Sequence, residues 1–217
     1  GSRGLGDVYK RQRYACEVFS KVPVKPGKKK RVGITGEIYM KYSKLGNDDI
    51  ESFLLRQGME PYSGGFVNYC LYLVDTERYK AEKYQHNPIM AKACAFVLHR
   101  LCEAQKHLLT VIGETDRFQT DLPFPELKEK VQGILAEGCN TGDGWLIAAE
   151  VIQYVEKGCG SVLILHPFGC LVSHVCERGI LQRLHARFPD VSIQTIEYDY
   201  DQSKTLRESR ILLAISS

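Results

Sequence analysis

The alternation of short apolar runs with helical stretches in the last third of the chain most constrains the fold. Ser161 to His166 and Val191 to Tyr198 are predicted strands, and each precedes a helical stretch, Ser173 to Phe188 and Ser203 to Ala214. Arg31 to Gly36 is another β-branched run, closed by glycine. Strands that alternate with helices form parallel sheets covered on both faces. We therefore predict an α/β fold, an open parallel sheet with helices on both faces, Rossmann-like or flavodoxin-like, with an added helical segment.

Helical periodicity dominates the middle of the chain and supplies that added segment. We predict helices at residues 48–57, 66–74, 88–112, 126–136 and 145–157. The α/β domain then spans residues 31–217, with a helical insert at about 66–136. Residues 1–12 (GSRGLGDVYKRQ) look like translated sequencing-adaptor sequence, so we set them apart as a non-native start. Residues 13–30 end in prolines, a glycine and a basic run and are predicted to form a linker.

Charge and composition exclude several functional classes. The 29 Lys and Arg against 26 Asp and Glu leave a net charge of +3, which is too balanced for a polyanion binder. No apolar stretch approaches the roughly 20 residues that span a bilayer, and no signal peptide opens the chain. We therefore expect a cytoplasmic protein without nucleic-acid or membrane partners. The eight cysteines include no CxxC pair and are expected to be reduced thiols, buried or metal-binding, rather than a disulfide framework.

The loop after the Ser161 to His166 strand carries the residues that most favour chemistry. In open α/β sheets, ligands bind at the carboxyl ends of the strands. The run HPFGCLVSH places Phe168, Gly169 and Cys170 between a strand end and a helix start. Helix amides at that position favour a thiolate. Cys170 is therefore a candidate nucleophile or metal ligand, and equally a candidate for a small buried core residue.

A glycine-rich turn before the 145–157 helix is a second candidate. Gly142 and Gly144, followed by Trp145, open a helix whose start can admit a phosphate or a carboxylate. The turn lacks the lysine of phosphate loops, so an ordinary turn with a helix cap stays open as the other interpretation. Cys139 lies just before this turn and would approach Cys170 if both loops line one end of the sheet.

Histidines and one carboxylate complete the candidates. His166 and His174 flank Cys170, an arrangement in which histidine can activate a thiol, although a histidine at a strand end is more often structural. Glu37 follows the first strand directly and is either a site carboxylate or a helix cap. The candidate cofactor-binding residues are Glu37, Gly142, Gly144, Trp145, Phe168, Gly169 and His174.

These candidates lie in three longer segments, RVGITGEIYMKYSKLGND (31–48), CNTGDGWLIAAEVIQYVEKG (139–158) and VLILHPFGCLVSHVCERGILQRLHARFPDVSIQTIEYD (162–199). Their most specific elements are the PFGC-x-x-x-H run, which ends at His174, and the GxGW turn, which ends at Trp145. Together the segments resemble the carboxyl-terminal region of large proteins related to 2-hydroxyacyl-CoA dehydratases and their ATP-dependent activases. The resemblance covers nearly all of the chain after the first twelve residues.

The resemblance implies an oxygen-sensitive, anaerobic iron–sulfur protein in which cysteine thiolates hold a [4Fe–4S]-type cluster. Cys170 is the ligand it carries over, and Cys139 and Cys176 are local candidates, because the other cluster cysteines of the family lie upstream of this sequence. It also implies an ATP-dependent activase or a dehydratase subunit as partner and an acyl-CoA as substrate, with a dimer left open. ATP hydrolysis is not assigned, because this sequence has no recognisable nucleotide-binding segment.

The sequence also departs from the family motif around the presumed cluster. The usual motif has glutamine at His166, proline and asparagine at Val172 and Ser173, and a glycine-lysine pair at Glu177 and Arg178. These departures bear more on substrate chemistry than on cluster binding.

Three functions follow as hypotheses. The first is a carboxyl-terminal fragment of such an iron–sulfur protein, inactive alone, that supports low-potential electron transfer or radical dehydration of acyl-CoA. The second is a non-catalytic scaffold or docking domain that binds the activase or a dehydratase subunit, suggested by the long apolar helix at 88–112. The third is a cysteine hydrolase that uses Cys170 and His174.

Overall fold

The computed structural model describes residues 5–24, 27–115 and 117–216. Its strands are β1 (Arg31–Gly36), β2 (Glu60–Tyr62), β3 (Ser161–Pro167) and β4 (Ser192–Tyr198). Its helices are α1 (Leu5–Ser20), α2 (Ile38–Tyr42), α3 (Ile50–Arg56), α4 (Val67–Lys83), α5 (Pro88–Gly113), α6 (Phe124–Glu129), α7 (Gly144–Glu156), α8 (Arg178–Arg187) and α9 (Lys204–Ser216). A π-helical turn, Ser173–Glu177, leads into α8.

The four strands form one parallel sheet in the order β2-β1-β3-β4. This confirms the predicted open parallel α/β sheet. The order is that of the first four strands of the flavodoxin-like arrangement, whereas the Rossmann arrangement begins 3-2-1-4. After β1 the chain continues to β2 on one side, and after β3 it continues to β4 on the other side. The strand order therefore reverses between β1 and β3.

The chain divides into two compact units. One takes its described residues from 1–28 and 70–126 and contains α1, α5 and most of α4. The other takes them from 29–69 and 127–217 and contains the whole sheet. The candidate site residues all belong to the second unit, so the candidate functional site lies there.

Alternation along the strands places helices on both faces of the sheet. Successive side chains of a strand point to opposite faces. Val32 and Ile34 of β1 join an apolar core with residues of α3 and α9 on one face. Thr35, on the other face, donates a hydrogen bond to Glu150 of α7. Helices α7 and α8 thus cover the face opposite α3 and α9.

Apolar burial explains why these strands and α7 form where they do. β3 is buried along SVLILH, as expected for a central parallel strand covered on both faces. Helix α7 is buried from Gly144 to Tyr154, because it packs on β1 and β3 and on the π-helical turn. Across the part of the chain that the structure describes, no helix is long and apolar enough to cross a membrane.

Several element bounds differ from the predicted ones. Helix α1 extends to Ser20, across much of the predicted linker at 13–30, and residues 1–4 and 25–26 of the predicted start and linker lie outside the described residues. Helix α4 runs nine residues beyond the predicted end at residue 74. The predicted 126–136 helix ends at Glu129 and continues as turns, with a left-handed backbone at Gly133.

Candidate functional site

The loops that follow β1 and β3 begin side by side at the point where the strand order reverses. Gly36 pairs with Leu165 in the parallel register, and the Glu37 N–H donates to the Leu165 carbonyl at 2.8 Å. From there the chain turns into α2 after β1 and into the Phe168–Cys170 loop after β3. Ligands of doubly wound sheets bind in the crevice at such a point. This edge is therefore the candidate functional site.

Glycine is required at Gly36 for this arrangement. Its φ is +129°, a conformation that side chains rarely adopt, and a Cβ there would overlap the Leu165 backbone. The close approach lets the Glu37 N–H reach the neighbouring strand and starts α2 at the site. Glu37 then caps α2, since its carboxylate accepts a hydrogen bond from the Met40 N–H at 3.0 Å.

The glycine-rich turn before α7 packs against the loop that follows β3. The Trp145 N–H donates to the Cys139 carbonyl at 2.9 Å and closes the turn. Gly142 has a φ of +58°, and a Cβ on it would lie 3.0 Å from the Val172 side chain. The two loops with the predicted metal ligands are therefore in contact.

The three predicted cysteine ligands are close enough to influence one another. Cys139 and Cys170 are both near enough to Cys176 to raise the pKa of its thiol. Burial first, and then Cys139, Glu177 and Cys170, raise the pKa of the Cys176 thiol to about 11. Cys176 is buried, whereas Cys139 and Cys170 are partly exposed. Two loops that are distant in sequence thus bring three thiols to one end of the sheet.

A buried carboxyl group lies in the glycine-rich turn, between Gly142 and Gly144. Asp143 is 7% exposed and accepts a hydrogen bond from the Ile38 N–H at 3.3 Å. Burial and the neighbouring Glu37, with smaller contributions from Glu150 and Glu177, raise its pKa to about 7. Glu177 raises both this pKa and that of the Cys176 thiol. The carboxyl and thiol groups therefore form one electrostatically linked site.

A buried ion pair anchors α2 to α7 next to this site. The Lys41 ammonium lies 2.8 Å from both oxygens of Glu150, and the Thr35 hydroxyl donates to the same carboxylate at 2.5 Å. Burial is the largest single influence and would lower the pKa of Lys41, but Glu150, Tyr154 and Tyr42 together outweigh it and raise that pKa well above its usual value. Lys41 is therefore held in its charged form, and its contacts with Glu150, together with the Thr35 hydrogen bond, join α2, β1 and α7 into one framework.

A histidine–glutamate pair supports the loop after β3 from within. His166 Nδ1 lies 2.9 Å from Glu177 Oε2, and both side chains are fully buried. His166 Nε2 lies 3.4 Å from Glu197 Oε2, which also accepts a hydrogen bond from Arg178 at 2.6 Å. This network ties the end of β3 and the π-helical turn to β4. It involves three residues that depart from the resembled motif, His166, Glu177 and Arg178.

The other predicted site residues have varied surroundings. Phe168 is exposed at the loop tip, and its N–H donates to the Tyr198 carbonyl at 2.9 Å. Gly169 has a φ of +72°, which shapes the turn to Cys170. The His174 ring lies against His166 and has Nε2 at 3.9 Å from Glu197. This orientation directs the ring toward the Glu197 network.

Trp145 and Gly144 belong to the start of α7. Trp145 is 1% exposed and has the Lys128 ammonium 5.8 Å from the centre of its ring. Gly144, with a φ of +35°, is the first residue of the helix. Trp145 therefore fixes the turn through the core and through its N–H bond to Cys139.

Asp143, Glu150 and Lys41 belong to the site, although the sequence pattern did not predict them there. Asp143 stands between two glycines of the predicted turn, and its burial could not be inferred from the turn pattern. Glu150 left a signal, because it is the one charged residue in the apolar run from Trp145 to Val155. Its partner Lys41 lies 109 positions away in the sequence, so only the fold identifies the pair.

Within the described ranges, no group of three or more His, Cys, Asp or Glu side chains is arranged to hold a metal ion as the structure stands. The thiols nevertheless match the donor type of iron–sulfur clusters, which take cysteine thiolates and are larger than a single ion. Comparison with known proteins finds no matching family profile, curated protein or solved structure. The resemblance to the dehydratase group therefore stays a prediction.

Proposed function

We propose that the chain is part of an iron–sulfur protein related to 2-hydroxyacyl-CoA dehydratases and their activases. In this proposal it supports low-potential electron transfer or radical dehydration of an acyl-CoA in the cytoplasm. The observation that supports the proposal is the contact, near the carboxyl end of β3, between the Gly142 turn after Cys139 and the Val172 segment between Cys170 and Cys176. This is where a doubly wound sheet binds its ligand.

Cys139, Cys170 and Cys176 are the residues that would hold the cluster. A [4Fe–4S] cluster takes about four thiolates, so a further ligand would come from outside this set. When bound, the cluster supplies one-electron chemistry. Cys176 must lose a proton to become a ligand, and its raised pKa opposes that loss. Iron uptake is therefore expected to increase as the pH rises from 7 to 9.

The surrounding residues hold the loops in place. The Lys41–Glu150 pair fixes α2 against α7, while the His166–Glu177 pair fixes the π-helical turn that carries Cys176. Asp143 holds a proton near neutral pH at a position linked to the thiols through Glu177. These groups orient the thiols and provide one site for proton storage. Under the proposal, an activase or a dehydratase subunit would be the partner and an acyl-CoA the substrate.

Anaerobic reconstitution with iron and sulfide tests the proposal. Wild type is expected to gain bound iron and broad visible absorption, and Cys170→Ala is expected to lose both. Cys70→Ala is the matched control, because Cys70 is an exposed thiol in the other unit. A chain that takes up no iron, or a Cys170→Ala variant that matches wild type, would contradict the proposal.

A scaffold function is the second candidate, favoured by the surface of α5. Ile89 is 81% exposed and Phe96 is 68% exposed on this 26-residue helix. Large apolar side chains grouped on an exposed helix mark a site of protein association. In this candidate, α5 binds the activase or a dehydratase subunit and the chain performs no chemistry.

Binding measurements separate the scaffold candidate from the first one. The double variant Ile89→Asp with Phe96→Asp should lose association with the activase or dehydratase subunit in a pull-down, while its iron uptake stays unchanged. Tyr200→Asp, at a fully exposed residue of the other unit, is the control. Equal association of wild type, the double variant and Tyr200→Asp with the partner would overturn the scaffold candidate.

A further inference from the structure

A groove with a volume of about 540 Å³ lies between the carboxyl-terminal part of α4 and the start of α5. Its lining residues run from Arg78 to Ala95, so it lies wholly within the unit that contains α1 and α5. Small-molecule sites in proteins are concave spaces of about 300–1,000 Å³ with a mostly apolar lining. This α4–α5 groove therefore has the volume of a site for a small ligand.

Small side chains line the apolar part of the groove. Ala81 of α4 and Ala91 and Ala95 of α5 contribute to it, together with Pro88. Ala81 is fully buried, so the groove reaches down to the packed part of the two helices. Ala91 and Ala95 are four residues apart and lie on the same side of α5. Such a lining fits an aliphatic chain, because burying the chain there removes apolar surface from water.

The turn between α4 and α5 fixes the walls of the groove. The Asn87 N–H donates to the Ala81 carbonyl at 2.8 Å, and the Asn87 side chain caps α5 by accepting a hydrogen bond from the Met90 N–H at 3.1 Å. His86, which also lines the groove, has a left-handed φ of +49°, a conformation in which histidine is enriched. Binding to walls that are already held in place costs little ordering of the protein.

The charged residues that line the groove favour an anion. The Arg78 guanidinium donates to Glu82 at 2.9 Å and also contacts Asp75 at 2.8 Å, so these carboxylates offset its charge. Lys92 then contributes the remaining formal charge among the lining residues that the structure describes. The start of α5 adds a partial positive charge from its helix dipole. One ammonium beside an apolar lining matches a ligand that has one negative charge and an aliphatic body.

We propose that the α4–α5 groove binds an aliphatic monocarboxylate. The aliphatic chain packs on Ala81, Ala91 and Ala95, and the carboxylate pairs with the Lys92 ammonium. Apolar burial supplies most of the affinity, and the ion pair determines which end of the ligand lies beside Lys92. This inference does not depend on the proposed function, because the groove and the three thiols lie in different units.

NMR titration of the full chain with hexanoate near neutral pH tests the inference. Hexanol and hexylamine are the matched compounds, because they carry the same aliphatic chain with a neutral and a positive head. Hexanoate is expected to bind most tightly and hexylamine least, and the amide signals of Ala91 and Ala95 should shift. Added salt should reduce the difference between hexanoate and hexanol, since it screens the charge of Lys92.

Two variants distinguish binding in the groove from non-specific binding. Lys92→Glu should weaken hexanoate binding by about fivefold or more, as expected for the loss of an exposed ion pair, and should leave hexanol binding unchanged. Ala91→Phe should fill the groove and abolish the binding of both compounds. Lys106→Glu and Ala93→Phe are the controls, at exposed positions of α5 outside the groove, and should bind hexanoate as wild type does.

Circular dichroism shows whether each variant keeps its helix content. If Ala91→Phe loses helix, Lys92→Glu still decides, because Lys92 is exposed. Equal hexanoate binding by wild type and Lys92→Glu, or by wild type and a folded Ala91→Phe, would overturn the inference. Absence of binding to wild type at millimolar hexanoate would also overturn it and would leave a protein segment as the occupant of the groove.

Discussion

Asp143→Asn should stabilise the chain at neutral pH while having little effect near pH 4. The carboxyl group of Asp143 is buried, and burial together with Glu37 raises its pKa from 3.8 to about 7. Between these values the folded chain keeps the proton and the unfolded chain has lost it. The free energy of unfolding of wild type therefore falls as the pH rises through this window and is level above it. Asparagine has no proton to lose and removes the fall.

The size of the effect follows from the shift. A difference of about 3 pKa units, at 1.36 kcal/mol per unit, gives about 4 kcal/mol of destabilisation in wild type at pH 7.5 and above. The asparagine carbonyl can still accept the hydrogen bond that the Ile38 N–H donates to Asp143 at 3.3 Å. The stabilisation in Asp143→Asn should therefore rise from near zero at pH 4 to as much as about 4 kcal/mol at pH 7.5.

Urea unfolding of the metal-free chain, repeated at pH values from 4 to 8, measures this difference. The quantity to compare is the free energy of unfolding of Asp143→Asn minus that of wild type at each pH. Asp190→Asn is the control, because Asp190 is an exposed aspartate in the same unit and should show no comparable rise. A difference that stays constant from pH 4 to 7.5, or a variant less stable than wild type at pH 7.5, would refute the reasoning.

Two further substitutions test the framework around the site. Lys41→Met should lower the free energy of unfolding by about 3–5 kcal/mol, because it leaves the buried Glu150 carboxylate without its counter-charge. Lys44→Met, at an exposed lysine, should change the free energy of unfolding by less than about 1 kcal/mol. If urea titration showed the same loss of stability for both variants, the buried Lys41–Glu150 pair would not be the cause. Gly36→Ala should abolish cooperative unfolding, because its Cβ overlaps the neighbouring strand. Gly160→Ala should retain cooperative unfolding, because the space around an added Cβ is open there. Thermal melts followed by circular dichroism would contradict the requirement for glycine at Gly36 if the two variants behaved alike.

The sequence predicted those parts of the fold that depend on local apolar pattern. β1 and β3 are buried parallel strands, so their sequences are continuous apolar or β-branched runs that stand out from their surroundings. β4 lies at an edge of the sheet and buries only Ile193 and Ile196, but its β-branched residues still mark it as a strand. β2 has only three residues, with Pro61 at its centre, and no local pattern marks it. Proline is tolerated there because β2 lies at the edge of the sheet.

The candidate site was predictable only where strand ends determine it. The rule that ligands bind at the carboxyl ends of parallel strands directs attention to Glu37 and Cys170. That rule could not identify the Lys41–Glu150 pair, whose members meet only after α2 and α7 dock on the sheet. Nor could it show that Cys139 and Cys176 are neighbours, because this depends on the contact between two loops.

Under the proposed function, the electrostatics of the site favour a low reduction potential for the cluster. Glu177 is fully buried, and its charge acts on both Asp143 and Cys176. Negative charge close to a cluster disfavours the addition of an electron. Under the proposed function, the buried Glu177 carboxylate therefore favours a low potential for a cluster held by the neighbouring thiols.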